Sequence, residues 1–174
     1  MKRTAWAWCL MGFAVTSLLG TALHFLYDLS GRAALVAPFS GVNESTWEHM
    51  KLFFWPMLLF GAVERIFFRD YESFPCVKLR STLLGLSLIP IIYYTYNGVI
   101  GVSPDWVNIS IFFISAAAVY LYELRALSSN SATCKNPGRS TSALLIIAAL
   151  FVIFTFKAPH LSIFKDPISG TYGI

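Results

Sequence analysis

The sequence predicts an all-α polytopic membrane bundle of five transmembrane helices, with a cytoplasmic N-terminus and an extracytoplasmic C-terminus. Three observations lead there. The 174 residues are 56% hydrophobic and only 13% charged, against roughly 25% charged in soluble domains. Apolar windows of membrane-crossing length recur along the chain without strand-like alternation. A helix satisfies its own backbone in lipid, whereas an open sheet does not. Lys and Arg also segregate to alternate connections, as the positive-inside rule requires.

The first span is expected at 6–27, after the basic start Met1-Lys2-Arg3. Gly20-Thr21-Ala22 resembles a signal-cleavage site, but the apolar run exceeds an ordinary signal core and is expected to remain as a helix. The next spans are expected at 52–68, 83–100, 107–124 and 142–158. The second and fifth are short, near the lower end of the roughly 17–25 residues a crossing needs. Pro90 is expected to kink the third. No linker is long enough to divide the chain, so residues 1–174 form one integral membrane domain. Between the last two spans, Ser128–Ser142 is polar, contains Asn136-Pro137-Gly138, and reads as a cytoplasmic turn. The closing "DPISGTYGI" is dense in turn signals, so 159–174 reads as a folded extracytoplasmic tail lying over the outer face.

This topology places nine basic residues inside (Lys2, Arg3, Arg65, Arg69, Lys78, Arg80, Arg125, Lys135, Arg139) against four outside (Arg32, Lys51, Lys157, Lys165). The net charge of +4 is therefore a topology signal. No solvated basic stripe with interleaved aromatics is present, which excludes a nucleic-acid partner; the lipid bilayer of the cell membrane is the expected partner. Cys9 falls in the first span, and Cys76 and Cys134 fall in cytoplasmic loops. No structural disulfide is expected in that compartment.

The three histidines, His24, His49 and His160, all map to the outer face. With them lie Asp28, Glu44, Glu48, Asp105 and Asp166, five of the nine acids and an excess that suits a cation. His24 and Asp28 are four apart and share a helix face. Glu48 completes Ser45-Thr46-Trp47-Glu48, which fits a capping box. Capping by Asn43 instead would free Glu48 to join Glu44 as acid and base. Tyr93, Tyr96 and Asn97 end the third span on the same side and are candidate substrate contacts. Glu64 lies about 24 Å along its helix from Glu48, at 1.5 Å per residue, and is expected to pair with a nearby Arg or to snorkel. Glu123 and Arg125 read as anchors at the inner interface. P-loop, GxSxG, HExxH and EF-hand patterns do not occur.

"HFLYDLSG", "NESTWEHMK", "IPIIYYTYNGVIG" and "PHLSIFKDPISGTYGI" together resemble an uncharacterised family of small multi-pass membrane proteins, mostly from Gram-positive bacteria, classed as a domain of unknown function. The likeness covers nearly the whole chain. It implies that the tail from Pro159 to Ile174 belongs to the fold, and that the membrane is a bacterial plasma membrane. A fainter likeness is to the metal-dependent membrane hydrolases that include alkaline ceramidases and progestin–adiponectin-type receptors. Those carry a Glu, an Asn, an Asp and three His near one membrane face, with different spacing from this chain.

The functional expectation is a metal-dependent hydrolase or transferase acting on a lipid-like substrate. Its ligands would be His24, His49 and His160 with Asp28 or Asp166, its cofactor Zn2+, and its proton acceptor Glu48 or Glu44. The rivals are a non-enzymatic binder or transporter of a small solute or ion, and a structural partner of a larger membrane complex. A polar path past Glu64 toward Glu123 would favour transport.

Overall fold

The computed structural model describes residues 2–101, 104–129 and 133–174. Its described residues form five α-helices: α1 (Lys2–Leu29), α2 (Thr46–Phe67), α3 (Phe74–Ile100), α4 (Asp105–Ser129) and α5 (Pro137–Phe156). A short 3-10 turn at Ser162–Phe164 follows them. Four helices, Thr4–Leu29 within α1 together with α3, α4 and α5, are long and apolar enough to cross a membrane. Their outer faces expose Leu18, Phe25, Ile91, Ile114, Leu145 and Ile153, a surface suited to hydrocarbon rather than to water.

The fifth, α2, is the axis. It touches each of the other four helices and the 3-10 turn. Phe53, Phe54 and Met57 are fully buried among Leu86, Ala116, Val119 and Phe151. Gly85 lets α3 approach so closely that a Cβ there would lie 2.3 Å from the Phe53 ring. Pro56 lies inside α2 and leaves the Leu52 carbonyl without its intrahelical donor. The backbone of α1 passes that carbonyl at Gly20, where a Cβ would lie 3.0 Å from the oxygen. The helix α3 likewise runs through Pro90.

Every helix begins before the apolar window that announced it, while α2 and α5 end just short of theirs. For α2 and α3 charge explains the difference: hydropathy falls at Lys51 and Lys78, but both ammonium groups are buried and paired with carboxylates. Lys51 was counted above with the outer basic residues; its side chain is fully buried. Its ammonium pairs with Glu48, donates to the Ala37 carbonyl at 2.8 Å, and donates to Thr155 Oγ1 at 3.1 Å. One cation thereby joins the α1–α2 connection, α2 and α5.

Two further expectations are corrected. Cys76 and Cys134 form a disulfide with their Cα atoms 5.8 Å apart, because α3 begins early enough to bring Cys76 beside the chain entering α5. Of the polar stretch 128–142, 130–132 lie outside the described residues, while α4 reaches Ser129 and α5 begins at Pro137; the connection is shorter than the composition suggested.

Lys51→Ala is expected to lower stability in detergent by about 3–5 kcal/mol, the usual result of stranding a buried charge. Adding Glu48→Gln should recover part of that loss. Thermal unfolding followed by size-exclusion chromatography measures both.

Candidate functional site

The approach to α2 is built residue by residue. Asn43 Oδ1 accepts from the Ser45 N–H at 3.0 Å, and Ser45 Oγ accepts from the Glu48 N–H at 3.4 Å. Only half of the capping box therefore forms. Asn43 takes the bond that Glu48 was expected to make, and the Glu48 carboxylate turns to Lys51 and to the Val42 N–H at 3.1 Å.

This start fixes His49 one turn into the helix. Its Nδ1 lies 3.0 Å from the Ser45 carbonyl, so the neutral ring donates from Nδ1 and leaves a lone pair on Nε2. That Nε2 lies 3.5 Å from Glu44 Oε2. On the other side of Glu44, His24 Nε2 from α1 lies 3.7 Å from Oε1. The two imidazole centroids are 5.8 Å apart, and one donor atom from each of the three residues falls within 4.8 Å of the others. All three side chains are partly exposed. Two imidazoles flanking one carboxylate form a donor set suited to a borderline divalent ion such as Zn2+.

Glu44 is held from behind by the tail. The Asp166 carboxylate accepts from the Glu44 backbone N–H, from the Ile168 N–H at 2.8 Å and from Ser169 Oγ at 2.7 Å. Partial desolvation pushes the Asp166 pKa up, but these hydrogen bonds outweigh it and hold the carboxyl below its ordinary value of 3.8. Asn43 Nδ2 donates to the Gly173 carbonyl at 3.2 Å, and Ile174 N–H donates to Thr155 O. Buried Phe164 packs on Trp47 and Phe154. Gly173 has φ +59, and a Cβ there would lie 2.7 Å from Thr155 O, so the "GTYGI" ending needs glycine at this point.

The remaining candidates lie elsewhere. Asp28 is exposed and pairs with Arg32 at 3.1 Å. His160 is exposed and stacks on Tyr172, with ring centroids 4.6 Å apart. Neither joins the three-residue cluster. Glu48 is enclosed in its own pair, and Asp166 acts on Glu44 through the backbone.

A cleft opens beside the cluster. Its two lobes, of about 300 and about 510 Å3, share Glu44, His49, Asp105, Asn108, Phe112 and Ile168. His24 lines the larger lobe, while Tyr93 and Asn97 line the smaller. Tyr96 is not among the residues that line either. Asn97 is turned partly inward on its own helix, donating to the Tyr93 carbonyl at 2.9 Å.

Asp105, expected only as one of the outer-face acids, and Asn108 join the site residues. Their spacing of three puts both on one face of the first turn of α4, a signal present in the sequence. Asn108 Oδ1 is buried without a hydrogen-bond partner among the described residues, a polar atom left for something that enters the cleft.

Fold and site together define an all-α protein with helices compatible with membrane insertion and a His–Glu–His cluster beside a predominantly apolar cleft. The chain belongs to DUF6512, a family of unknown function whose model matches residues 1–174. No curated protein and no solved structure matches it.

Asp166→Asn should raise hydrogen-exchange rates at the Glu44 and Ile168 amides roughly tenfold, as expected for weakening hydrogen bonds to a charged acceptor. Because the folded-state pKa is lowered, the contribution of Asp166 is fully present above pH 3.8 and is lost as pH falls through the lower folded value. Exchange followed by mass spectrometry across that range measures both effects.

Proposed function

We propose that this is a multi-pass membrane protein whose His24–Glu44–His49 cluster binds Zn2+ and hydrolyses, or transfers a group from, a lipid-like substrate. The supporting observation is the disposition of Nε2 on His49. It presents a lone pair to a carboxylate oxygen at 3.5 Å, an arrangement that needs a proton or a cation between the two. His24, Glu44 and His49 would hold the ion, which would supply a water activated for attack near neutral pH. We assign Asp105, the other carboxylate lining the cleft, to accept the water proton. The predominantly apolar lining beside Asn108 and Asn97 suits a substrate with an apolar body and a polar head.

The transport reading has less support. Between Lys51 and Glu64, α2 carries no ionisable side chain, and Phe53, Phe54, Met57 and Phe60 are buried there. No polar path along that axis joins the cleft to Glu123 among the described residues.

For topology we propose five spans, with the N-terminus inside and the cleft outside. Leaving aside the buried Lys51 and Lys78, the sequence still places eight basic residues on the inner side against three on the outer. This orientation puts the Cys76–Cys134 disulfide on the reducing side, where the pair is expected as thiols in the cell and as the disulfide once oxidised.

Elemental analysis of the purified protein should find about one zinc per chain, as in a single three-ligand site. His24→Ala, His49→Ala and Glu44→Ala should lose it, whereas His160→Ala and Asp28→Ala should retain it. Asp105→Asn should keep the metal but abolish turnover in a lipid-hydrolysis screen. Metal-free wild-type protein would sink the proposal.

Intact cells quenched in acid and alkylated before lysis should yield Cys76 and Cys134 as free thiols. Recovery of their disulfide from such cells would reverse the orientation.

A further inference from the structure

At the other end of α2 lies a second buried ionic cluster, remote from the cleft. Glu64 of α2 is 0% exposed, Lys78 of α3 is 4% exposed and Glu123 of α4 is 1% exposed. The expectations of a snorkelling Glu64 and an interfacial Glu123 are therefore corrected: three helices fold these groups inward. The Lys78 stem reaches them across Gly61, where a Cβ would lie 2.8 Å from Lys78 Cε.

The two carboxylates are not equivalent. Glu123 receives the Lys78 ammonium on both oxygens, at 2.8 and 3.0 Å, and the Ser81 hydroxyl at 2.6 Å. Glu64 has only the ammonium, at Oε2. Its Oε1 is fully buried without a hydrogen-bond partner among the described residues.

Charge accounting decides what that asymmetry means. Two carboxylates face one ammonium. The other titratable groups around them are Cys9 from α1 and Tyr120 from α4, both neutral at ordinary pH. Tyr120 OH is already within 2.7 Å of Thr16 Oγ1. Arg65, next to Glu64, directs its guanidinium to the carbonyls of Phe68 and Arg69. Arg125 and Arg139 are exposed. With both carboxyls ionised the cluster carries one uncompensated negative charge among buried side chains, which desolvation penalises.

We propose that Glu64, Lys78 and Glu123 form an intramembrane proton-binding site, in which Glu64 carries the proton and Glu123 is the carboxylate partner of Lys78. The proton comes from water and sits on the carboxyl with the unpartnered oxygen. No other bond changes. The site is independent of the metal cluster, since Leu52–Val63 separate Glu64 from Lys51 on α2. An intramembrane carboxyl so held takes up or releases a proton whenever the helices around it rearrange.

Infrared spectroscopy of the full chain in an ester-free detergent at neutral pH, with 13C-labelled glutamate, tests this. The wild type should show one protonated-carboxyl carbonyl band per chain that shifts with the label. Glu64→Gln should remove it. Glu123→Gln should remove it as well, because Lys78 then has only Glu64 to neutralise. No such band in the wild type overturns the proposal even if neither variant folds. A band that survives Glu64→Gln also overturns it, and sodium abolishing the band at fixed pH would assign the site to a metal cation instead.

Discussion

The buried ammonium of Lys51 is the constraint on which the cleft end of the molecule depends. Desolvating a lysine in an apolar bundle costs several kcal/mol, and only a full set of partners offsets it. Those partners come from three directions: Glu48 within α2, the Ala37 carbonyl in the connection from α1, and Thr155 in α5. Satisfying one cation therefore fixes where the connection runs and where α5 ends. Trp55 adds a second tie to the same connection, donating to the Pro38 carbonyl at 2.8 Å. Ser40 completes it by accepting from the Tyr27 N–H and donating to the Leu23 carbonyl at the end of α1. His24 lies within that last stretch of α1, and Glu44 follows the connection directly. The spacing of His24 and Glu44 is thus a consequence of where Lys51 finds its acceptors.

The tail closes the same arrangement from the other side. Thr155 Oγ1 faces Lys51 while the Thr155 carbonyl receives the Ile174 N–H. Asn43 and Asp166 then carry the constraint from the tail to Glu44. The NESTWEHMK stretch divides its labour accordingly. Asn43 and Ser45 start the helix, Glu48 and Lys51 neutralise one another inside it, and Glu44 and His49 are left facing the cleft. Polar side chains three or four apart point to different sides of the bundle because the helix begins between them, at Thr46.

The sequence made the helices legible because apolar windows without alternation leave little else in a chain of this composition. The motif around Asn43–Lys51 and the closing glycines were legible for the same reason: they interrupt the pattern. Partners were not. Whether a histidine four residues from an aspartate meets it depends on rotamer and on competitors, and Arg32 captures Asp28. His160 stacks on Tyr172 across a turn whose path is determined by hydrogen bonds within the tail and by its ties to Asn43, Glu44 and Thr155. Charge also misled by position. A lysine or glutamate near an apolar window was read as interfacial, and Lys51, Lys78, Glu64 and Glu123 are instead sealed in pairs formed within α2 or across helices.

Those pairs explain why α2 is the least lipid-like helix and yet the most buried. A lipid-facing helix cannot carry charge in mid-membrane, but a helix surrounded by four others can if each charge meets its counterpart. Its two ends solve the problem differently. Lys51 has one carboxylate and two neutral acceptors, so its buried pair balances in charge. Lys78 has two carboxylates, so the far end does not. Between them, Phe53, Phe54 and Met57 are fully buried, and the two clusters have no ionisable group in common along the helix. A protein that only needed a stable bundle would gain by replacing such pairs with apolar residues of similar volume. The unequal triad adds a second buried carboxylate without a counter-ion of its own, and a proton on that carboxyl removes the excess charge.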